Sequence, residues 1–144
     1  MKQPLHMKTK VLSKLLLSLG LVFVLGSAVT QVRSEDDNFP VMTIHSAGDV
    51  TRGKTGSFVL NMNPVVFGGS YVNFSVSGTA IPGIDYVPLV SPAHIGQSGY
   101  GVILVQTLPN RRAPSLQPYS VVVTLEPGPG YTVGKPKSAQ LMIK

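Results

Sequence analysis

The stretch from Ser77 to Tyr86 constrains the fold more than any other part of the chain. It reads Ser-Gly-Thr-Ala-Ile-Pro-Gly-Ile-Asp-Tyr and directly follows Tyr71 to Val76, where apolar and polar residues alternate as in a half-buried strand. Gly78 and Gly83 permit backbone angles closed to other residues, and the proline between them fixes its own φ. The sequence therefore predicts a strand, then a sharp turn, then a buried aromatic ring at Tyr86.

The chain after Pro40 reads as short strands separated by turn residues, without an amphipathic helical window. Tyr71 to Val76 is one of about seven predicted strands, which together indicate an all-β fold, an antiparallel β-sandwich. One of them is predicted to be a short strand at the edge of a sheet. Prolines within it and after it limit its pairing, because proline has no backbone N–H to donate to a neighbouring strand. The other predicted strands are Val41 to His45, Thr55 to Met62, the edge piece Val87 to Val90, Tyr100 to Leu108, Tyr119 to Leu125 and Ala139 to Ile143.

The turn stretch also resembles the signature of a known family. Its pattern Gly-Thr-Ala-x-x-Gly-x-Asp-Tyr is similar to that of Calx-beta domains, which are calcium-binding, immunoglobulin-like modules. The resemblance covers about the last hundred residues, a usual size for such a sandwich. It implies a single immunoglobulin-like β-sandwich over residues 40–144, whereas activity must be argued from the site itself. The residues that carry the signature are Gly78, Thr79, Ala80, Gly83, Asp85 and Tyr86.

Most of the calcium ligands that the resemblance implies are missing. Such domains gather an early Glu, the Asp of the Asp-Tyr pair and an acidic turn, but here the early position falls near Thr51-Arg52 and the turn reads Pro109 to Ala113. Calcium takes about six to eight oxygen ligands. We therefore expect no high-affinity calcium site and no cofactor, with Asp85 as a weak metal candidate and weak calcium binding as the minor alternative. Capping of backbone N–H groups is the favoured role of this carboxylate.

Two arginines in the turn that is acidic in the family suggest a replacement for the ion. A guanidinium binds a carboxylate bidentately, so Arg111 or Arg112 could bridge Asp85 and loop carbonyls in place of calcium. The alternative has both arginines in solvent, where ion pairs contribute only about 0 to 1 kcal/mol. Adjacent loop charges favour this second interpretation.

The N-terminal segment has the pattern of an export signal. Lysines precede the apolar run Leu15 to Leu25, and Gly26-Ser27-Ala28 supplies the small residues of a cleavage site. This predicts a signal peptide over residues 1–28. An uncleaved anchor is the alternative, although the apolar run is shorter than the roughly 20 residues that span a bilayer. We expect an exported protein, in the periplasm first, with the cell surface or the medium as alternatives.

A polar leader over residues 29–39 follows the signal and is predicted to be disordered. Its acidic residues Glu35, Asp36 and Asp37 offer no fixed geometry for a metal ion. Four of the twelve Lys and Arg residues lie before Ala28 and all six acids lie after it, so removal of the signal lowers the net charge from +6 to +2. A nucleic-acid partner, which requires a basic face, is not expected, and contact with a membrane is expected only during export. The domain has no cysteine and must be stabilised by its hydrophobic core.

No catalytic pattern stands out, so the expected function is non-catalytic. Ser91, His94 and Asp85 can be combined on paper into a triad, but no nucleophile elbow surrounds the serine, and His45 and His94 do not match a zinc spacing. We expect a binding or adhesion module whose loops or exposed strand edge bind a protein or glycan. The alternative is a structural or assembly subunit that adds a strand to a partner. Tyrosines clustered on one exposed face would favour the recognition surface, whereas scattered and buried tyrosines would leave only the scaffold interpretation. The candidates are Tyr71, Tyr100, Tyr119 and Tyr131.

Overall fold

The computed structural model describes residues 38–109 and 118–144. All of these except Asn38 belong to a compact unit that runs from Phe39 to Lys144. The predicted signal peptide, and the predicted leader up to residue 37, lie outside the described residues and stay predictions. The described strands are β1 (Val41–Ser46), β2 (Thr55–Asn63), β3 (Ser70–Ser77), β4 (Ala93–Ile95), β5 (Tyr100–Gln106), β6 (Tyr119–Glu126), β7 (Thr132–Val133) and β8 (Ser138–Ile143).

The strands form two four-stranded sheets. One has the order β5-β2-β1-β7 and the other β4-β3-β6-β8. Neighbouring strands are antiparallel except for β1 and β7, which are parallel. The predicted all-β, immunoglobulin-like sandwich is thus confirmed. In the described ranges no helix is long and apolar enough to cross a membrane.

Six of the seven predicted strands lie where the sequence places them, with ends shifted by about two residues. The edge piece Val87 to Val90 is wrong, because these residues are not in a strand and β4 forms instead at Ala93–Ile95. The prolines explain the shift, since the residues after Pro92 all have an N–H to give to β3. The sequence also missed β7, which is only two residues long.

The core lies between the sheets and follows the alternation along the strands. In β2, Phe58, Leu60 and Met62 share one face of the strand and are buried. In β5, Ile103 is buried whereas its neighbours point to solvent. Burying a large apolar side chain contributes about 1.5 to 3 kcal/mol. This alternating burial fixes which residues of each strand are left for the outer faces.

Tyr131 joins the turn after β6 to the second sheet. Its ring is buried, and its hydroxyl donates to the carbonyl oxygen of Glu126 (2.7 Å) and accepts from the amide of Asn73 (3.0 Å). The hydroxyl thereby pairs a donor and an acceptor of the backbone, each bond being worth about 1 kcal/mol. The chain can turn at Pro127 to Gly130 without leaving these groups unsatisfied.

Candidate functional site

Asp85 closes the motif loop on itself. Its side chain is fully buried, and its Oδ2 accepts a hydrogen bond from the amide of Ile81 at 2.7 Å. The amide of Asp85 in turn donates to the carbonyl oxygen of Ile81 at 2.8 Å. This reciprocal pair is the backbone-capping arrangement described from the sequence, in a turn that Pro82 and Gly83 allow.

Asp85 also forms an ion pair with Arg52, which was not predicted from the sequence. Arg52 Nη2 lies 2.8 Å from Asp85 Oδ1, and the arginine side chain is only 16% exposed. The guanidinium carbon, Cζ, lies 5.3 Å from the centre of the Tyr119 ring, within cation–π range. A buried carboxylate is thus matched by a largely buried cation held over an aromatic face. The signal in the sequence was a basic residue where the family pattern has its early Glu.

Hydrogen bonds tie several loops together around this pair. The amide of Arg52 donates to the carbonyl oxygen of Lys144, at the end of β8. The amide of Leu108, just after β5, donates to the carbonyl oxygen of Asp85. Thr107 donates from its amide (3.1 Å) and its hydroxyl (2.6 Å) to the carbonyl oxygen of Lys54. The segments that follow β1, β3, β5 and β8 therefore meet at one end of the sandwich, which we call the Arg52 end.

The aromatic residue of the motif is buried beside this cluster. Tyr86 is 2% exposed and forms isolated bridges with Pro82 and Thr107. Burial raises the pKa of its hydroxyl, and the negative charge of Asp85 raises it further. The predicted burial of this ring is thus observed.

The residues proposed to replace calcium, Arg111 and Arg112, lie outside the described residues, as does the acidic group Glu35, Asp36 and Asp37. Among the described residues, Arg52 is paired with Asp85. The described ranges contain no group of three or more His, Asp or Glu side chains that could hold a metal ion.

Ser91, His94 and Asp85, which the sequence could combine into a triad, make other contacts in the structure. Ser91 Oγ accepts a hydrogen bond from the amide of Phe74 (3.0 Å), and the His94 ring lies against Tyr71, with centroids 4.9 Å apart. The Asp85 carboxylate is bonded to Arg52 and to the amide of Ile81. None of these contacts gives the serine a base or the histidine a carboxylate partner.

The four tyrosines do not gather on one face, so they do not support a recognition surface built from tyrosines. Tyr71 and Tyr100 are exposed but belong to different sheets, Tyr119 is half-buried beneath Arg52, and Tyr131 is buried. The large exposed side chains that do form a row are on β5. Here Tyr100, Val102 and Leu104 point outward and are 62%, 55% and 63% exposed. We call these three residues the β5 stripe.

A surface cavity of about 400 Å³ adjoins the β5 stripe. Val102, Ile103 and Leu104 form one wall, and the segment from Pro88 to Val90 forms another together with Ala93 and His94. Val90 at its rim is 82% exposed. The stripe and the cavity form one continuous surface at the edge of the sandwich.

No family model and no curated protein matches the chain. Among solved structures, the crystal structure of the apo form of the Calx CBD1 domain is similar, with a TM-score of 0.55 and 16% sequence identity. The match covers 74% of this chain and 96% of that one. At this identity the likeness shows the fold alone. The chain has a Calx-beta-like, immunoglobulin-like β-sandwich fold.

Proposed function

We propose that this chain is an exported, non-catalytic binding module that recognises another protein through the β5 stripe and the adjoining cavity. The observation that carries the proposal is the row of three large apolar side chains, each more than half exposed, on one strand. A contiguous exposed apolar surface is costly in water and is typical of interaction sites. Function then lies in this surface, because the fold by itself does not specify an activity.

The surroundings of the stripe favour an apolar partner. In the neighbouring strand Val59 pairs with Val102, Ser57 with Leu104 and Asn61 with Tyr100. The outward positions of β5, β2 and β1 include no Asp, Glu, Lys or Arg. A surface without formal charge is desolvated at low cost, as in the cores of protein–protein interfaces. Two of the three stripe residues are aliphatic, which suits a protein side chain in the cavity better than a sugar ring.

Hydrogen bonds at both ends of β5 argue against the alternative of an added strand. The carbonyl oxygen of Tyr100 accepts from the amide of Gly96, and that of Gln106 accepts from the amide of Val87. A donated strand longer than a few residues would have to displace both bonds. Natural sandwiches protect their edges in this way. Recognition by side chains therefore fits β5 better than β-augmentation, although an assembly role through side chains remains within the proposal.

Export and the absence of catalysis complete the proposal. Export rests on the basic, apolar and small-residue pattern of residues 1–28, and the periplasm is the first compartment to examine. The non-catalytic assignment is supported by the hydrogen bonds of Ser91 and Asp85 and by the ring contact of His94, which leave no assembled triad.

Site-specific photo-crosslinking in cells that make the protein tests the proposal. A photoreactive phenylalanine analogue is placed at Val102, and a matched one at Gln140, which is exposed on β8 of the other sheet. We expect a discrete crosslinked protein from position 102 and none from position 140. Equal yields at both positions, or no adduct at 102, would contradict the assignment of this surface.

A second variant separates recognition from folding. Leu104→Lys adds a charge to the stripe, and Ser77→Lys adds one at an exposed position of β3. Both changes are expected to alter stability by no more than about 0.5 kcal/mol, as is usual at exposed sites. Only Leu104→Lys should abolish the adduct at position 102. If both variants crosslink like the unmodified chain, the stripe is not the contact.

A further inference from the structure

We infer that the guanidinium of Arg52 takes the place of a metal ion as the positive charge that holds the Arg52 end of the sandwich together. The inference goes beyond the proposed binding function, which concerns β5. The family resemblance implies a calcium ligand at Asp85, and the structure instead pairs this carboxylate with an arginine of the same chain at 2.8 Å. The positive charge beside Asp85 therefore comes from a side chain of the protein itself.

Arg52 balances the negative charge of Asp85. The side chain of Asp85 has no exposed surface, and a buried carboxylate stays ionised only with a compensating charge or hydrogen bonds. Arg52 provides both, since Nη2 donates to Oδ1. The Nη1 atom of Arg52 is also buried and has no hydrogen-bond partner among the described residues. The guanidinium is thus withdrawn from water, with its face towards Tyr119.

The ligands present around Asp85 do not fit calcium. The ion takes about six to eight oxygens, usually with several carboxylates. Both oxygens of Asp85 are already in use, Oδ1 by Arg52 and Oδ2 by the amide of Ile81. The other acids in the described ranges are Asp49, which pairs with Lys144, and Glu126, which accepts from Ser75. Within residues 38–109 and 118–144, no group of three or more His, Asp or Glu side chains could hold a metal ion, and the Arg52 guanidinium lies beside Asp85.

The Arg52–Asp85 pair connects segments that are far apart in the chain. Arg52 belongs to the segment between β1 and β2, and Asp85 to the motif loop after β3. The main chain of each residue is bonded in turn to a further segment, Arg52 to Lys144 and Asp85 to Leu108. One side-chain pair therefore couples four segments that are far apart in the chain. The resemblance to calcium-binding domains implies the same role for a cation that takes ligands from several loops.

Thermal unfolding of the full chain tests the inference. Variants Arg52→Met, Arg52→Lys and Arg52→Met combined with Asp85→Asn are compared with the unmodified chain, each in EGTA and in about 5 mM calcium, a concentration that would load a weak extracellular site. Met keeps most of the apolar stem, Lys keeps the charge, and the double variant removes both charges.

If Arg52 supplies the charge, calcium leaves the Tm of the unmodified chain within about 1 °C of its value in EGTA. Arg52→Met lowers Tm by about 10 °C or more, because it removes the cation bonded to Oδ1 of a buried carboxylate. Arg52→Lys loses less than Arg52→Met, and the double variant also loses less, because the negative charge that Arg52 balances is removed with it.

Other results would overturn the inference. Equal losses for Arg52→Met and Arg52→Lys would show that the side chain acts by packing on Tyr119 and not by its charge. A Tm increase of several degrees with calcium in the unmodified chain would show that a metal site persists. If Arg52→Met does not fold, the double variant decides, since a charge role requires that removing Asp85 as well restores folding.

Discussion

Thr79 of the motif and Ser120 of β6 are hydrogen-bonded to each other in both directions. The amide of Thr79 donates to Ser120 Oγ at 3.0 Å, and the amide of Ser120 donates to Thr79 Oγ1 at 2.8 Å. The two hydroxyl oxygens lie 3.2 Å apart, and the carbonyl oxygen of Ser120 accepts from the amide of Ala80. The threonine of the motif therefore anchors its loop to β6.

Thr79→Val is expected to destabilise the domain. The substitution keeps the size and β-branching of the side chain but removes the acceptor for the amide of Ser120. We expect a loss of about 1 kcal/mol in the free energy of unfolding, because each net hydrogen bond contributes about 0.5 to 1.5 kcal/mol and this pair is exposed. Urea unfolding measures the change. Thr79→Ser, which keeps the hydroxyl, is the control, and a loss of equal size in both variants would contradict the explanation.

The two glycines of the motif should respond differently to alanine. Gly78 has φ +115°, and a Cβ there would lie 2.3 Å from the carbonyl oxygen of Ser120. Gly83 has φ +84°, but an added Cβ would meet nothing within 4 Å. We expect Gly83→Ala to lose about 1 to 2 kcal/mol from the left-handed backbone alone. Gly78→Ala should lose about 3 kcal/mol or more, because the loop must also move away from β6.

Urea unfolding of both variants checks this ranking. The comparison holds the chemistry constant, since each change adds one methyl group to a glycine of the same loop. If the two variants lose the same stability, the close approach of Gly78 to Ser120 does not matter, and only the backbone angle does.

The sequence predicted the sheets well because side-chain alternation in strands has a period of two. Where one face of a strand is buried, as at Phe58 and Leu60 of β2, the pattern records both the strand and its orientation. The same alternation in the sequence of β5 places Ile103 and Val105 on one face and Val102 and Leu104 on the other. The structure shows that the first face is the inner one.

The sequence did not predict the features that depend on contacts between distant segments. The ion pair joins Arg52 and Asp85, which are 33 residues apart, and no local pattern brings them together. The strand β7 has only two residues and exists because it pairs with the start of β1. The position of β4 depended on which residues after Val87 have a backbone N–H that can donate a hydrogen bond to β3. In each case the deciding interaction was tertiary, while local propensity was weak.

Tyr86 should make the stability of the domain decrease at high pH. Burial, and then the charge of Asp85, raise the pKa of its hydroxyl, so the folded state favours the neutral phenol. The stabilising contribution is therefore complete below the ordinary tyrosine pKa of about 10 and is lost as the pH rises above it, because the unfolded chain ionises first.

The measurement compares the free energy of unfolding in urea at pH 8 and at about pH 10.5, above the ordinary tyrosine pKa, for the unmodified chain and for Tyr86→Phe. The unmodified chain should lose more stability between the two pH values than the phenylalanine variant, which keeps the buried ring but has no group to ionise there. The two proteins differ in no other side chain, so all other contributions cancel in the comparison. Absorbance of tyrosinate should also show one phenol that ionises late in the folded unmodified chain and is missing from the variant. Equal losses in both proteins would mean that Tyr86 exchanges its proton as freely in the fold as in the unfolded chain, contrary to its burial beside Asp85.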